Sequence, residues 1–226
     1  MGTMITLSHG DTPIQGYLAS PDKSGPGVIV IQEWWGLVGH ITAVADRFAA
    51  AGFNALAPDF YGGQTTAEPD EAGSLMMALK VPEAAEVIRA AAERLAADPM
   101  TLGEKVGVVG FCMGGKLALF AAGISAQIGA CVDYYGIHPN VHPDFGNFQC
   151  PVLGFFAEHD DYAGAEAVAA LDRSLKEVGI DHEFHTYPGT CHAFFNSDRP
   201  AVYNHEAAED SWGKMLAFFR DNLGEA

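Results

Sequence analysis

Two nearly unbroken apolar runs restrict the fold of this chain more than any other feature. Gly27–Glu33 (GVIVIQE) and Lys105–Gly110 (KVGVVG) are rich in β-branched and small residues and lack polar alternation. Runs of this kind are typical of strands buried on both faces, which occur in parallel sheets covered by helices on both sides. The sequence therefore predicts an α/β protein.

Strand and helix patterns alternate from Gly27 to the end of the chain, after two strands that flank a turn signal at Asp11-Thr12-Pro13. This order predicts a three-layer α/β/α sandwich with a mostly parallel sheet and an N-terminal antiparallel hairpin at one edge. No linker, repeat or low-complexity tract interrupts residues 1–226, so we expect a single domain. The other predicted strands are Met4–His9, Ile14–Ala19, Phe53–Asp59, Gly129–Tyr135, Val152–Ala157 and His182–Tyr187, and the helices lie around Ile41–Phe48, Pro82–Leu95, Lys116–Ala122, Ala165–Val178 and His205–Asn222.

Composition narrows the classes of partner and the compartment. The 12 basic and 29 acidic residues give a formal charge of −17, which disfavours nucleic acid and anionic lipid. No apolar stretch is long enough to span a bilayer, and no export signal is visible. Four scattered cysteines without a CxxC pair are typical of reduced thiols. We expect a cytoplasmic protein, a monomer or weak homodimer, that acts on a small molecule without a cofactor.

The segment Gly110-Phe111-Cys112-Met113-Gly114-Gly115 lies between a predicted strand and a predicted helix. It matches the G-x-nucleophile-x-G elbow with cysteine in the place of serine. A helix N-terminus favours a thiolate and leaves backbone N–H groups free for an oxyanion. A buried cysteine in a glycine-rich turn is the alternative, and the glycines do not match a dinucleotide-binding loop.

An acid and a histidine follow this elbow in the chain order that α/β-hydrolases use. Asp160 comes just after the strand Val152–Ala157, and His192 comes after the last predicted strand. Asp161 is the alternative acid, expected to be solvated or to cap the next helix. Cys191 adjoins His192, but no further ligand lies at zinc-like spacing, so no metal site is expected. The order predicts Cys112, His192 and Asp160 as a catalytic triad.

At these residues the chain resembles the dienelactone hydrolase family (carboxymethylenebutenolidases) over nearly its whole length. A glutamate before an aromatic-rich turn, combined with a cysteine elbow, distinguishes this family from ordinary serine esterases. Four segments carry the resemblance: Gln32-Glu33-Trp34-Trp35-Gly36, Pro58-Asp59-Phe60-Tyr61-Gly62-Gly63, Gly110–Gly115 and Gly189–Phe194.

The resemblance implies a role for each matching position. Cys112 would be the nucleophile, His192 the general base and Asp160 the group that orients it. Glu33 would contact the resting thiol and help to deprotonate it, and a helix-capping or solvated loop acid is the less favoured alternative. The backbone N–H groups of Trp34 and Met113 would form the oxyanion hole.

One departure from the family concerns substrate binding. Dienelactone hydrolases hold the substrate carboxylate with two arginines, one after the Tyr61 loop and one four residues past the histidine. Here the stretch 64–81 has no arginine, and the second position is Asn196, with Arg199 nearby. We therefore expect a preference for neutral or aromatic esters. The candidate substrate-binding residues are Trp35, Tyr61, Phe111, Phe194, Asn196 and Arg199, although aromatic residues at such turns often pack in the core.

Two other functions remain open at this point. One is a general carboxylesterase or thioesterase. The other is a non-hydrolytic relative that binds a ligand or senses oxidants through Cys112. Whether residues 61–81 form a lid is also open.

Overall fold

The computed structural model describes residues 1–9 and 12–224. The strands are β1 (Thr3–His9), β2 (Thr12–Ala19), β3 (Gly25–Ile31), β4 (Asn54–Pro58), β5 (Thr101–Phe111), β6 (Ile128–Tyr134), β7 (Val152–His159) and β8 (His182–Cys191). The helices are α1 (Gly39–Ala50), α2 (Pro69–Ala78), α3 (Val81–Ala96), α4 (Met113–Ile124), α5 (Ala165–Glu177) and α6 (His205–Leu223), with a 3₁₀ turn at Phe145–Asn147.

In the described part of the chain, the eight strands form one sheet in the order β1-β2-β4-β3-β5-β6-β7-β8. The strand β2 pairs antiparallel with both β1 and β4, and all other neighbours are parallel. The predicted fold class, with its hairpin at one edge, is confirmed. Residues 10 and 11 lie outside the described residues, so the turn expected at Asp11 is not described.

The two faces of the sheet have separate apolar cores, as strands buried on both sides require. On β3, Val28 and Val30 pack into one core, which α1 and α6 cover. Ile29 and Ile31 pack into the other core, where α3 and α4 supply most of the helical side chains. The alternation within a single strand explains why residues 27–31 (GVIVI) show no polar positions.

The helix α2 was not predicted from the sequence. Ala72 is its one buried residue, so the apolar periodicity that reveals a surface helix is weak here. The start of α2 does carry the residues typical of a helix N-terminus, since Pro69 lies in the first turn and the acidic residues Asp70 and Glu71 follow it. None of the helices in the described residues combines the length and apolar character needed to cross a membrane.

The turn from β5 into α4 forces Cys112 into an unusual backbone conformation, with φ 57° and ψ −118°. Neighbouring glycines make the turn possible. A β-carbon on Gly110 would lie 1.8 Å from the carbonyl oxygen of Gly114, and one on Gly114 would lie 2.4 Å from that of Gln32. The amide of Cys112 donates to the carbonyl of Tyr134 at 3.0 Å, which fixes the bend against β6.

Replacing Gly110 by alanine should therefore lower the free energy of unfolding by about 3 kcal/mol, because backbone atoms cannot move away as a flexible side chain would. Gly213→Ala is a matched control, since a β-carbon there meets nothing within 4 Å in the exposed part of α6. That variant should be as stable as the wild type or up to about 1 kcal/mol more stable. Urea denaturation of both variants checks this, and equal stabilities would contradict the steric account.

Candidate active site

The carboxyl ends of β7 and β8 bring Asp160 and His192 together. The imidazole Nδ1 of His192 lies 2.8 Å from Oδ2 of Asp160. The other carboxylate oxygen of Asp160 accepts the N–H groups of Tyr162 and Ala163 at 2.8 and 2.9 Å. Burial opposes the charge on Asp160, but the bonds from His192 and these amides outweigh it and lower its pKa. The carboxylate therefore holds a proton on Nδ1 and leaves Nε2 free to act as a base. Asp161 is exposed.

The thiol of Cys112 is buried in the same region, and burial is the largest effect on its pKa. Desolvation and the nearby Glu33 raise that pKa far above its ordinary value of 9.0. The backbone N–H groups of Met113 and Trp34 lower the pKa of the thiol, because hydrogen-bond donors directed at a sulfur stabilise the thiolate. The N–H group at the start of α4 thus favours the thiolate, as expected, but burial outweighs it and the resting thiol keeps its proton.

The sulfur and the imidazole do not form a hydrogen bond in this structure. Nε2 of His192 is buried and has no hydrogen-bond partner. Both groups nevertheless belong to one site, since the carboxylate of Asp160 acts on the pKa of Cys112. Tyr135, whose ring lies 4.9 Å from the imidazole centroid, also interacts electrostatically with Cys112. The resting thiol is thus directed toward Glu33 and two backbone amides rather than toward His192.

Glu33 is a buried carboxyl group, which rules out the solvated-loop reading. Its Oε2 accepts a 2.5 Å hydrogen bond from Nδ2 of Asn196, and its Oε1 has no partner. Desolvation raises the pKa of Glu33 from 4.5 to about 7, although Asn196 and Arg199 lower it in part. A carboxyl group with a pKa near neutrality is suited to proton transfer at physiological pH.

The residues expected to bind substrate differ in their exposure and in the contacts that they make. Arg199 is exposed and stacks on the ring of the buried Trp35, with Cζ 5.0 Å from the ring centroid. Asn196 is buried, and its observed contact is with Glu33. Phe111 and Phe194 have no exposed surface and pack in the core, because the sheet and α6 enclose them. Packing is their observed role.

Tyr61 lies next to the elbow, on the side of Met113. Its hydroxyl lies 3.0 Å from Sδ of Met113, and its hydroxyl pKa is raised by burial and by Cys112. Tyr61 also lines a groove of about 970 Å³ between the hairpin and α2 and α3. Cys112 and His192 are not among the lining residues, so the groove is separate from the reacting groups.

The helix α2 lies over the edge of the sheet that holds these residues. A β-carbon on Gly73 of α2 would come within 3.9 Å of the ring of Trp34. The backbone of Trp35 accepts a hydrogen bond from Thr66 just before the helix. At its last turn, the carbonyl of Met76 lies 3.1 Å from Nε2 of His138. The segment 61–81 therefore covers the site from Trp34 to the turn after β6.

Sequence reasoning missed two buried residues at the end of β6, one in the strand and one directly after it. Asp133 lies behind the elbow, where burial raises the pKa of its carboxyl group to about 7, and its Oδ1 would be 2.3 Å from a β-carbon on Gly115. Tyr135 has φ 41° and packs on His192. The adjacent pair Tyr134-Tyr135 after an apolar strand was the available signal, but aromatic residues there are common in cores.

The remaining cysteines do not join this site through a metal. Cys131 and Cys150 are buried, and Cys191 is exposed at the end of β8, directly before His192. Within residues 1–9 and 12–224, no three His, Cys, Asp or Glu side chains form a group that could hold a metal ion.

Comparison with known proteins shows the family to which the chain belongs. The model of the dienelactone hydrolase family matches residues 14–223. The chain belongs to the dienelactone hydrolase family. Protein usf of Aquifex pyrophilus is 36% identical over 99% of this chain and 100% of its own length. A protein of Aquifex aeolicus with the provisional name carboxymethylenebutenolidase is 33% identical over the same shares.

Solved structures of this dienelactone hydrolase family have the same fold as the chain. A dienelactone hydrolase-like promiscuous phosphotriesterase from metagenomic libraries is 27% identical, with a TM-score of 0.89 over 99% of each chain. A provisionally named dienelactone hydrolase of Klebsiella pneumoniae is 26% identical, with a TM-score of 0.84 over 97% of this chain and 98% of its own.

The buried carboxyl group of Glu33 predicts a pH-dependent stability for this dienelactone hydrolase family member. Between pH 4.5 and about 7 the folded protein binds the proton that the unfolded chain has lost. The stability contributed by neutral Glu33 is therefore full below pH 4.5 and lost as the pH rises through 7. Glu33→Gln stays neutral and should be more stable than the wild type at pH 8 by on the order of 3 kcal/mol.

Thermal melting of Glu33→Gln and the wild type from pH 4 to pH 8 checks this. The difference between them should vanish near pH 4, and a difference that is constant over the whole range would contradict it. Asp161→Asn removes one exposed charge and serves as the control.

Proposed function

We propose that this protein hydrolyses carboxylic esters or lactones through Cys112, His192 and Asp160. The observation that supports this most strongly is the pairing of His192 with Asp160 at 2.8 Å beside a strained, buried cysteine. The imidazole keeps one nitrogen free, as a general base requires. Membership of the dienelactone hydrolase family adds the reaction class.

The proposed reaction is acyl transfer in two steps. A bound substrate displaces the thiol from Glu33, which assists its deprotonation. The thiol proton passes to Nε2 of His192, and the thiolate attacks the carbonyl carbon. The N–H groups of Trp34 and Met113 already face the sulfur, so an oxyanion formed there meets two donors. The leaving oxygen takes a proton from His192. Water activated by His192 then hydrolyses the thioester and restores the thiol.

The state of Cys112 also bears on the rival function of oxidant sensing. A sensing thiol is exposed and has a low pKa, because the thiolate is the form that oxidants attack. Cys112 is buried, and its pKa is raised. A protonated thiol that is activated by bound substrate fits hydrolysis better.

Replacing Cys112 by alanine should lower kcat/KM on p-nitrophenyl acetate by at least about 10³-fold, because no other group can form the thioester. Cys191→Ala is the matched control and should retain wild-type turnover, since that thiol is exposed. The wild type should release p-nitrophenol in a burst followed by sustained turnover, with an acetylated Cys112 visible by mass spectrometry. Substantial activity in Cys112→Ala, or a burst without turnover, would disprove the assignment.

The proposed substrate preference follows from the lack of arginine at the two positions where the family binds the substrate carboxylate. Asn196 holds Glu33 and is not available to a ligand, and Arg199 is an exposed side chain stacked on Trp35. A single exposed arginine binds a carboxylate more weakly than two converging ones. We propose that the enzyme prefers neutral or aromatic esters over small anionic lactones.

Measuring kcat/KM on a dienelactone and on neutral aryl esters tests this preference, and the aryl esters should be the better substrates. Arg199→Gln should change both values little. A strong preference for the dienelactone that Arg199→Gln removes would instead assign carboxylate binding to Arg199.

A further inference from the structure

Tyr135 combines a strained backbone with a position at the centre of the proposed site. Its φ is 41°, in the left-handed region that a tyrosine rarely adopts. Among the described residues, the other non-glycine positions with positive φ are Cys112 and Ala193, which follows His192. Such strain persists where surrounding structure enforces it, and it is concentrated at functional sites. The N–H of Tyr135 donates to the carbonyl of Phe155 at 2.9 Å, which holds the turn in place.

The hydroxyl group of Tyr135 is a buried donor without a partner. The side chain is fully buried, and its O–H has no acceptor, although the backbone N–H of Phe195 acts on the oxygen. Burial, then Glu33 and Cys112, raise the pKa of this hydroxyl well above its ordinary value. The group therefore stays protonated at any physiological pH and can donate a hydrogen bond. Buried polar groups nearly always have a partner, and one that lacks it calls for a functional explanation.

Among the residues that the structure describes, three of the buried polar atoms without a hydrogen-bond partner belong to side chains of this site. Besides the Tyr135 hydroxyl, they are Oε1 of Glu33 and Nε2 of His192. The ring of Tyr135 lies 4.9 Å from the imidazole of His192, while its hydroxyl interacts most strongly with Glu33 and then Cys112. Tyr135 therefore lies beside the proposed base and within electrostatic reach of the thiol, the two groups between which a reacting ester must fit.

The two oxygens of an ester need different donors in the transition state. As the carbonyl oxygen becomes an oxyanion, it accepts hydrogen bonds from the N–H groups of Trp34 and Met113. The second oxygen gains charge only when its bond to the carbonyl carbon breaks. The ionised carboxylate of Asp160 cannot stabilise that charge, and Glu33 can do so only while it holds a proton. The Tyr135 hydroxyl is a permanent neutral donor, carried by a ring that packs against the imidazole that must deliver the proton.

We infer that Tyr135 is a further catalytic residue whose hydroxyl donates a hydrogen bond to the leaving-group oxygen of the ester or lactone. This inference rests on the proposed hydrolysis through Cys112. The sulfur–carbon bond forms, the carbon–oxygen bond breaks, and its electron pair goes to the leaving oxygen. The proton removed from Cys112 and held by His192 passes to that oxygen. Tyr135 keeps its own proton throughout and releases the hydrogen bond when the alcohol departs.

The variant Tyr135→Phe, assayed on acetate esters with leaving groups of increasing basicity, tests this role. From p-nitrophenyl to phenyl to ethyl acetate, the leaving oxygen depends increasingly on stabilisation. The variant should lose little kcat/KM on p-nitrophenyl acetate and about 10- to 100-fold on ethyl acetate. A loss that is absent, or equal for all three esters, would overturn the assignment, since a merely structural role would slow every ester alike.

A control and a stability measurement accompany these assays. Tyr134→Phe removes the neighbouring buried hydroxyl, which lies on the side of Ser211, and should keep the wild-type dependence on the leaving group. Tyr135→Phe should fold and melt close to the wild-type temperature, because the hydroxyl donates to no group of the fold and accepts at most weakly from the N–H of Phe195. A large drop in melting temperature, or a failure to fold, would show that the fold uses this hydroxyl and would contradict the inference.

The outcomes separate this inference from the proposed function. If the wild type does not turn over any ester, or if Cys112→Ala does so as well, the proposed hydrolysis fails and Tyr135 loses its role with it. If Cys112 is acetylated and required, yet Tyr135→Phe shows the wild-type dependence on the leaving group, then only the role of Tyr135 fails.

Discussion

The strained bend at Cys112 depends on contacts that only glycine permits. Gly110 and Gly114 lie so close to backbone carbonyls that a β-carbon at either position would collide with them. The bend is fixed by the hydrogen bond that the N–H of Cys112 donates to the carbonyl of Tyr134. This geometry carries the sulfur past the end of β5, between the ends of β3 and β6. Every other group in the site is placed relative to that position, because the parallel strands all end at the same edge.

Burial then decides the electrostatics of the site. Desolvation outweighs the backbone N–H groups at Cys112, and it raises the pKa of Glu33 as well. Asp160 differs because three donors surround its carboxylate, so it stays ionised in spite of burial. The two carboxyl groups near the sulfur therefore have different protonation behaviour. One can exchange a proton near neutrality, and the other keeps the imidazole oriented.

The sequence predicted most of the fold because apolar runs and helical periodicity report burial directly. It also predicted the elements that carry Cys112, Asp160 and His192, since a strand end fixes where the next residue must lie. Periodicity could not reveal α2, whose face is barely buried. The protonation of Cys112 could not be predicted either, because it results from desolvation by residues far apart in the chain. Tyr135 was missed for a related reason, since a backbone torsion cannot be read from residue type.

The exposure of Cys191 has a practical consequence for experiments on the native enzyme. This sulfur is accessible next to His192, whereas the sulfur of Cys112 is enclosed and protonated. An alkylating reagent added without substrate meets the exposed thiol first. The stoichiometry of modification then reports on Cys191, and any loss of turnover after alkylation reflects a bulky group placed beside the imidazole. Slow alkylation of Cys112 is consequently compatible with its proposed role as a nucleophile, because the thiol is buried and protonated.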